Sequence, residues 1–208
     1  MSEPSLRDQL DNAHEASQTI LTICLAERLI SEGSADSWVF EVYARSLTGI
    51  GRYDDAGSAL DQAEKLAPPK DIPWIIHRRA VLEKQRGNFE EALDLWKSAH
   101  SLKPDEASFL IFAGSLSFRL GRVKDAEEFA RRGTTCSEGY REEAWYCLGG
   151  YMAAQQRYDE ALSCYEKAIA IDPDYELAIG RRDELLKAFP ENGGEQGQHL
   201  TLGESKAL

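Results

Sequence analysis

The chain has 208 residues and a formal net charge of −12. Its apolar fraction of 42% is enough for a continuous core in one compact domain or one short repeat array. So acidic a chain repels phosphate backbones, and we expect no general nucleic-acid binding. No apolar run approaches the roughly 18 residues of a membrane span, and no basic leader precedes the early apolar stretch. We therefore expect a cytoplasmic protein without a membrane partner.

The four cysteines do not form a metal-binding pattern. Cys24, Cys136, Cys147 and Cys164 include no CxxC pair, and none has a histidine at ligand spacing. We interpret them as small, reduced residues of a helical protein. The sequence predicts no metal site and no cofactor.

Apolar residues follow a helical spacing near the start of the chain, within residues 5–32. Leu6, Leu10, Leu25 and Leu29 belong to this pattern. One long helix and a short hairpin both fit it, and either would cover the open end of a helical stack. The segment is interpreted as a degenerate or half repeat.

Four alanines then recur at nearly constant intervals. Ala56, Ala92, Ala126 and Ala161 are separated by 36, 34 and 35 residues. In most copies a glycine lies five residues before the alanine, a large side chain four after it and a small one seven after it. Small residues let two helices approach closely, and glycine ends a helix because it tolerates positive φ. Acidic pairs such as Asp54–Asp55 suit the start of the second helix, where the dipole favours negative charge. The pattern predicts tandem helix-turn-helix units.

These positions resemble the tetratricopeptide repeat, which has a period of 34 residues. The last unit carries the pattern most fully, in the residues Trp145, Leu148, Gly149, Tyr158, Ala161, Tyr165, Ala168 and Pro173. The resemblance implies an all-α fold, a right-handed superhelical solenoid of helix-turn-helix repeats with flanking helices at both ends. The expected divisions are an N-terminal helical segment 5–32, repeats 37–70, 73–106, 107–140 and 142–175, a capping helix 176–189 and a disordered tail 190–208.

Two repeats depart from the pattern. Arg79 and Glu83 occupy positions that the family usually fills with core residues, so the second repeat is expected to pack loosely or to face a neighbour. The third repeat lacks the proline and has Ala130 where an aromatic residue is usual. Its second helix is expected to be thinly packed or followed by a longer turn, 134–140.

First helices of such repeats line an inner groove, and the helical phase selects side chains that are aromatic, apolar or charged. The predicted partner-binding residues are Trp38, Glu41, Arg45, Trp74, His77, Arg78, Lys84, Ile111, Phe118, Arg119 and Tyr146. Exposed aromatic and arginine side chains are favoured anchors at protein interfaces. The groove is expected to bind a peptide or a helix of a partner protein.

Structural interpretations stand beside this one. Trp38 and Trp74 would equally pack against the preceding second helix, and Ile111 and Phe118 against a neighbouring repeat. Glu41 and Arg45 lie four residues apart and would then only pair with each other.

Some relatives grip the C-terminal carboxylate of Hsp70 or Hsp90 with a clamp of Lys, Asn, Asn, Lys and Arg. The matching places here hold Glu41, Arg45, Arg78, Ser108 and Phe112, or, one repeat along, His77, Val81, Phe112, Glu143 and Cys147. Neither set is such a clamp, so binding of these tails is not expected. No catalytic motif stands out, and we expect no enzyme. Homo-oligomerisation through charged residues such as Arg79 and Glu83 is the alternative hypothesis.

Overall fold

The structure, a computed structural model, describes residues 4–189. Over this range the chain forms eleven α-helices and no β-strand. The helices are α1 Leu6–Glu15, α2 Thr19–Ser31, α3 Ser37–Gly49, α4 Tyr53–Leu66, α5 Ile72–Arg86, α6 Phe89–Leu102, α7 Ser108–Arg119, α8 Val123–Thr134, α9 Arg141–Ala154, α10 Tyr158–Ile171 and α11 Glu176–Ala188. The predicted disordered tail, 190–208, lies outside the described residues.

Consecutive helices pack as antiparallel hairpins: α1 on α2, α3 on α4, α5 on α6, α7 on α8 and α9 on α10. The second helix of each hairpin also packs against the first helix of the next, which makes the array continuous. First helices of neighbouring hairpins are also in contact: α3 contacts α5, and α7 contacts α9. The first helices therefore form the inner, concave layer of a right-handed superhelical solenoid.

The N-terminal segment is a hairpin rather than one long helix. Ser5 caps α1 by accepting a hydrogen bond from the backbone N–H of Asp8, whose side chain accepts from the N–H of Ser5. The chain reverses at Ser17, whose φ is +54°. Trp38 and Val42 of α3 pack against the cluster formed by α1 and α2, so this hairpin covers the first helix of the next unit.

The same turn closes all five hairpins. In each, a backbone N–H donates to the carbonyl five residues earlier, at 2.9 to 3.0 Å, in the pairs Gln18–Ala13, Arg52–Leu47, Asn88–Glu83, Arg122–Ser117 and Arg157–Met152. This turn requires one left-handed residue, which is Gly51, Gly87 or Gly121 in three hairpins. Ser17 and Gln156 adopt the same conformation without glycine. The first hairpin thus has the geometry of a repeat although its sequence has diverged.

Small residues permit the close helix crossings that the sequence predicts. The four recurring alanines are fully buried. A Cβ added to Gly149 would lie 2.6 Å from Cε1 of Tyr165, so α9 and α10 approach too closely for any side chain there. Large neighbours such as Trp96 and Tyr165 fill the adjoining space and are almost completely buried.

The unusual charges of the second repeat have partners within the chain. Arg79 contacts Asp61 at 2.8 Å and Glu64 at 3.3 Å, both on α4. Of the two expectations for this repeat, loose packing or contact with a neighbour, the second therefore applies to Arg79. Glu83 is buried and accepts hydrogen bonds from Arg86 at 2.9 Å and Asn88 at 2.7 Å. Arg79 therefore joins two neighbouring repeats, and Glu83 stabilises the turn of its own hairpin.

The third repeat ends in a longer turn, as one of the two expectations for it stated, because α8 ends at Thr134 and α9 begins at Arg141. The turn is fastened to the preceding one by a backbone bond from the N–H of Glu138 to the carbonyl of Asp105, at 2.8 Å. Lys103 adds contacts to Glu106 at 3.3 Å and Glu138 at 2.8 Å. These bonds fix the conformation of the turn, at the point where the other repeats have a proline.

Candidate protein-binding surface

The predicted groove residues differ in how much surface they offer. Arg45, Phe118 and Arg119 are exposed. The half-buried members are Trp38, Glu41, Trp74, Arg78, Lys84 and Tyr146. His77 and Ile111 are only 4% and 5% exposed, which differs from the prediction that they line an open groove and leaves them little area for a ligand.

Side chains of α1 pack on the ring of Trp38 at the N-terminal end of the concave surface. The guanidinium of Arg7 lies 4.1 Å from the centre of the Trp38 ring, and His14 meets the same ring edge-on at 5.9 Å. Trp38 therefore packs against the preceding hairpin, and these two ring contacts come from its first helix, α1, rather than from the second helix that the sequence suggested.

Glu41 does not pair with Arg45. Its carboxylate accepts from Nε of Arg78 at 2.8 Å, which links α3 to α5. Arg45 instead approaches Nε2 of His14 at 3.5 Å. The pairing within one helix turn, expected from the spacing of four residues, is wrong because α5 brings a better-placed cation.

The middle of the surface is an aromatic cluster around His77. Nε1 of Trp96 donates to Nδ1 of His77 at 3.0 Å, and the rings of Phe109 and Phe112 lie 5.9 and 4.8 Å from the imidazole. Burial, with the nearby charges of Arg78 and Lys84, lowers the pKa of His77 to about 3. The imidazole is thus a neutral hydrogen-bond acceptor that orients Trp96.

Most of this cluster is core, and Phe112 is its exposed member. Trp74 packs on Phe109 with ring centres 5.0 Å apart. Phe112 stacks on Trp96 and keeps 39% of its surface exposed. Phe112 is not among the groove residues predicted from the sequence, but the fold makes it part of the accessible surface.

A hollow of about 520 Å³ opens between α7, α9 and α11. Phe118, Arg119 and Tyr146 line it, together with Ser115, Gly150 and Ala153, which share their helical phase. The residues that the groove prediction missed are Cys147, Tyr151, Tyr165, Arg181, Glu184 and Leu185. Phe118 stacks on Tyr151 with ring centres 4.9 Å apart, which gives the hollow an aromatic wall.

The capping helix α11 forms the far wall of this hollow. Arg181 and Leu185 lie four residues apart on α11, so they share a face. Arg181 is held by Glu184 at 2.8 Å. The spacing of Arg181 and Leu185 is visible in the sequence, but it does not reveal that α11 turns that face toward α7 and α9.

Arg119 on α7 lines the hollow, and Lys84 on α5 is half-buried. Burial, and then the charge of Arg119, lowers the pKa of the Lys84 ammonium. Within residues 4–189 neither side chain makes an ion pair with a carboxylate.

Within residues 4–189 the structure shows no metal-binding cluster, and the cysteine that lines the hollow, Cys147, is a protonated thiol. Among the described residues no group of three His, Cys, Asp or Glu side chains is placed to hold a metal ion. Burial, with the charge of Glu143, raises the pKa of Cys147 to about 12, which keeps the thiol protonated. In the described part of the chain no helix is long and apolar enough to cross a membrane.

Comparison with known proteins identifies the family. Models of the tetratricopeptide repeat match residues 77–141 and 142–175. Human tetratricopeptide repeat protein 7A is 30% identical over 122 residues, which are 57% of this chain and 13% of that protein. The chain belongs to the tetratricopeptide repeat family, and it spans a small part of the length of that relative.

Solved structures share the fold over most of the chain. Yeast Tom70 superposes with a TM-score of 0.75 at 15% identity, covering 91% of this chain and 41% of Tom70. YrrB superposes with a TM-score of 0.56 at 15% identity, covering 84% of this chain and 88% of YrrB. At these identities the likeness concerns the fold alone. The family and fold define a protein-protein interaction module.

Proposed function

We propose that the concave surface of this module binds a peptide or a helix of a partner protein. The observation that supports this most is the group of exposed aromatic and basic side chains on the inner layer, namely Phe112, Phe118, Arg45 and Arg119. Aromatic and arginine side chains supply much of the binding energy of protein interfaces. YrrB, which has the same fold, is described as a tetratricopeptide repeat protein with an unusual peptide-binding site.

The test removes the two partly exposed phenylalanine rings from the concave surface. Phe112→Ala with Phe118→Ala deletes two rings that are 39% and 36% exposed. The matched control is Leu66→Ala with Leu102→Ala, which deletes two side chains that are 53% and 58% exposed at the ends of second helices. Circular dichroism of all proteins verifies that each one folds.

Binding is measured by photo-crosslinking in a lysate of the source organism. A benzoylphenylalanine at Ser115, which lines the hollow, reports the concave surface, and one at Ser98 on α6 reports a second helix. We expect a partner to crosslink from Ser115. This crosslink should be lost in the double phenylalanine variant and retained in the double leucine variant. Crosslinking from Ser98 alone, or equal loss with both pairs, would show that this surface does not bind.

Self-association through groove or end faces is the alternative, and Arg79 and Glu83 were the candidate residues for such an interface. Both side chains make their contacts within the chain, so neither is free to form a charged interface. We therefore expect a monomeric mass by light scattering at tens of micromolar. A dimeric mass would restore the alternative.

A further inference from the structure

The hollow between α7, α9 and α11 lies close to the point where the described part of the chain ends. Leu185 lines the hollow and precedes Phe189, the last described residue, by one helical turn, about 6 Å along the axis of α11. Residues 190–208 lie outside the described residues and continue directly from Phe189. Their attachment to α11 therefore holds this segment near the hollow.

The sequence of the segment includes an apolar pair among polar residues. Leu200 and Leu202 are separated by one residue, so in an extended chain both side chains lie on the same side. Gly193 and Gly194 precede them, and consecutive glycines let a chain reverse its direction. The stretch from Phe189 to Leu200 can span up to about 36 Å, several times the distance back to the wall that α11 provides.

The hollow suits two leucine side chains in size and chemistry. Its volume of about 520 Å³ lies within the roughly 300–1,000 Å³ typical of ligand pockets. Phe118, Tyr151 and Leu185 give it apolar walls. Space remains between these walls because α9 carries Gly150, where the equivalent position of α5 carries Val81.

The charges of the hollow and of the segment are of opposite sign. Two arginines, Arg119 and Arg181, and one glutamate, Glu184, line the hollow. Residues 190–208 contain three glutamates and one lysine. Electrostatic attraction therefore adds to the burial of the two leucines.

We propose that Leu200 and Leu202 occupy the hollow of their own molecule and compete there with the partner protein. The contact is small, but the tether gives the segment an effective concentration of about a millimolar, so a weak contact is still populated. The competition rests on the proposed function, since it requires a partner that binds the concave surface. The contact itself does not depend on a partner.

Photo-crosslinking within the purified full chain tests the contact. A benzoylphenylalanine replaces Leu200, and mass spectrometry of the digested monomer identifies the residues to which it becomes attached. We expect crosslinks to residues that line the hollow, such as Phe118, Tyr146 and Leu185. The control carries benzoylphenylalanine at Gln196, whose shorter tether makes chance collisions at least as frequent. Its crosslinks to the hollow should be fewer by about fivefold.

Filling the hollow with a side chain of α9 should displace the segment. A Cβ at Gly150 would lie 4.0 Å from the hydroxyl oxygen of Tyr165, an ordinary contact distance, so Gly150→Phe adds a ring there without a clash at Cβ. Gly180→Phe is the matched control, because a Cβ at Gly180 meets nothing within 4 Å and Gly180 does not line the hollow.

The two glycine variants should differ in the crosslinks formed from position 200. Crosslinking to the hollow should fall by about fivefold or more in Gly150→Phe and change by less than about twofold in Gly180→Phe. Circular dichroism verifies that both variants fold.

Replacing the leucines should free the hollow for the partner. In Leu200→Ser with Leu202→Ser, crosslinking of the partner from Ser115 in the lysate should rise about two- to tenfold, because apparent affinity increases with the fraction of molecules whose hollow is free. The control, Gln196→Ser with Gln198→Ser, shortens two side chains of the same segment and should leave partner crosslinking unchanged.

The outcomes separate this inference from the proposed function. Equal crosslinking from positions 196 and 200, equal effects of the two glycine substitutions, or crosslinked dimers in place of internally crosslinked monomers would overturn the contact. A contact that is present while the double leucine-to-serine variant captures no more partner would overturn the competition. The proposed function fails separately, if no variant crosslinks a partner from Ser115, and the crosslinks from position 200 still decide whether the segment occupies the hollow.

Discussion

His77 should make the stability of the protein depend on pH in a specific window. Its imidazole is buried and accepts from Trp96, so the folded protein resists protonation, and the pKa falls from 6.5 to about 3. The unfolded chain protonates His77 near pH 6.5. Between those two values the unfolded state binds more protons, so stability decreases as pH falls below about 6.5.

The magnitude follows from the two pKa values. Lowering the pH from 7 to 5 should reduce the contribution of His77 to the free energy of unfolding by about 2 kcal/mol. Glu127, whose burial opposes ionisation but whose bonds from Gln155, Arg131 and Arg157 lower its pKa to about 2, acts only below pH 4.5. The window between pH 7 and 5 is therefore free of its effect.

The assay is urea unfolding followed by tryptophan fluorescence, at pH 7 and at pH 5, for the natural chain and His77→Asn. Asparagine does not titrate and keeps an acceptor near the position of Nδ1. Contributions of His14 and His100 are common to both proteins and cancel. The natural chain should lose about 2 kcal/mol more than the variant over this interval. Equal losses of unfolding free energy in the two proteins would show that His77 is protonated in the folded protein. The hydrogen bond from Nε1 of Trp96 to Nδ1 of His77 would then be refuted.

Three further substitutions test the packing. Ala161→Leu should overpack the crossing of α9 and α10 and lower the free energy of unfolding by about 1–3 kcal/mol; an unchanged melting temperature would contradict the register. Gly139→Ala should destabilise the chain more than Gly33→Ala. Both glycines have positive φ, +78° and +70°, but a Cβ at Gly139 would lie 2.0 Å from Oε1 of Glu106, whereas the space at Gly33 is open. Equal effects in thermal unfolding would exclude the clash. Gln156→Gly should raise the melting temperature because it removes a left-handed residue with a Cβ, and a lower value would refute the turn.

The sequence by itself predicted the architecture. Recurring alanines, the residues around them and the glycines between helices indicated an all-α solenoid of the tetratricopeptide repeat family, and the fold and the family matches confirm this. These features are local or repeat at a fixed interval, so their meaning is visible within one or two units. The first hairpin was left open because Ser17 replaces the expected glycine and the turn residue no longer marks the boundary.

Tertiary structure decided which side chains of the inner layer are accessible. Helical phase placed His77 and Phe118 on the same kind of face, yet the rings of α6 and α7 bury His77 while Phe118 borders a hollow. The pairing of Glu41 with Arg78 and the wall provided by α11 both join residues from different helices. A periodic pattern fixes the direction of a side chain about its own helix axis. It does not fix which neighbour fills the space in front of that side chain, because the distance and tilt between helices are set by the packing of the whole array.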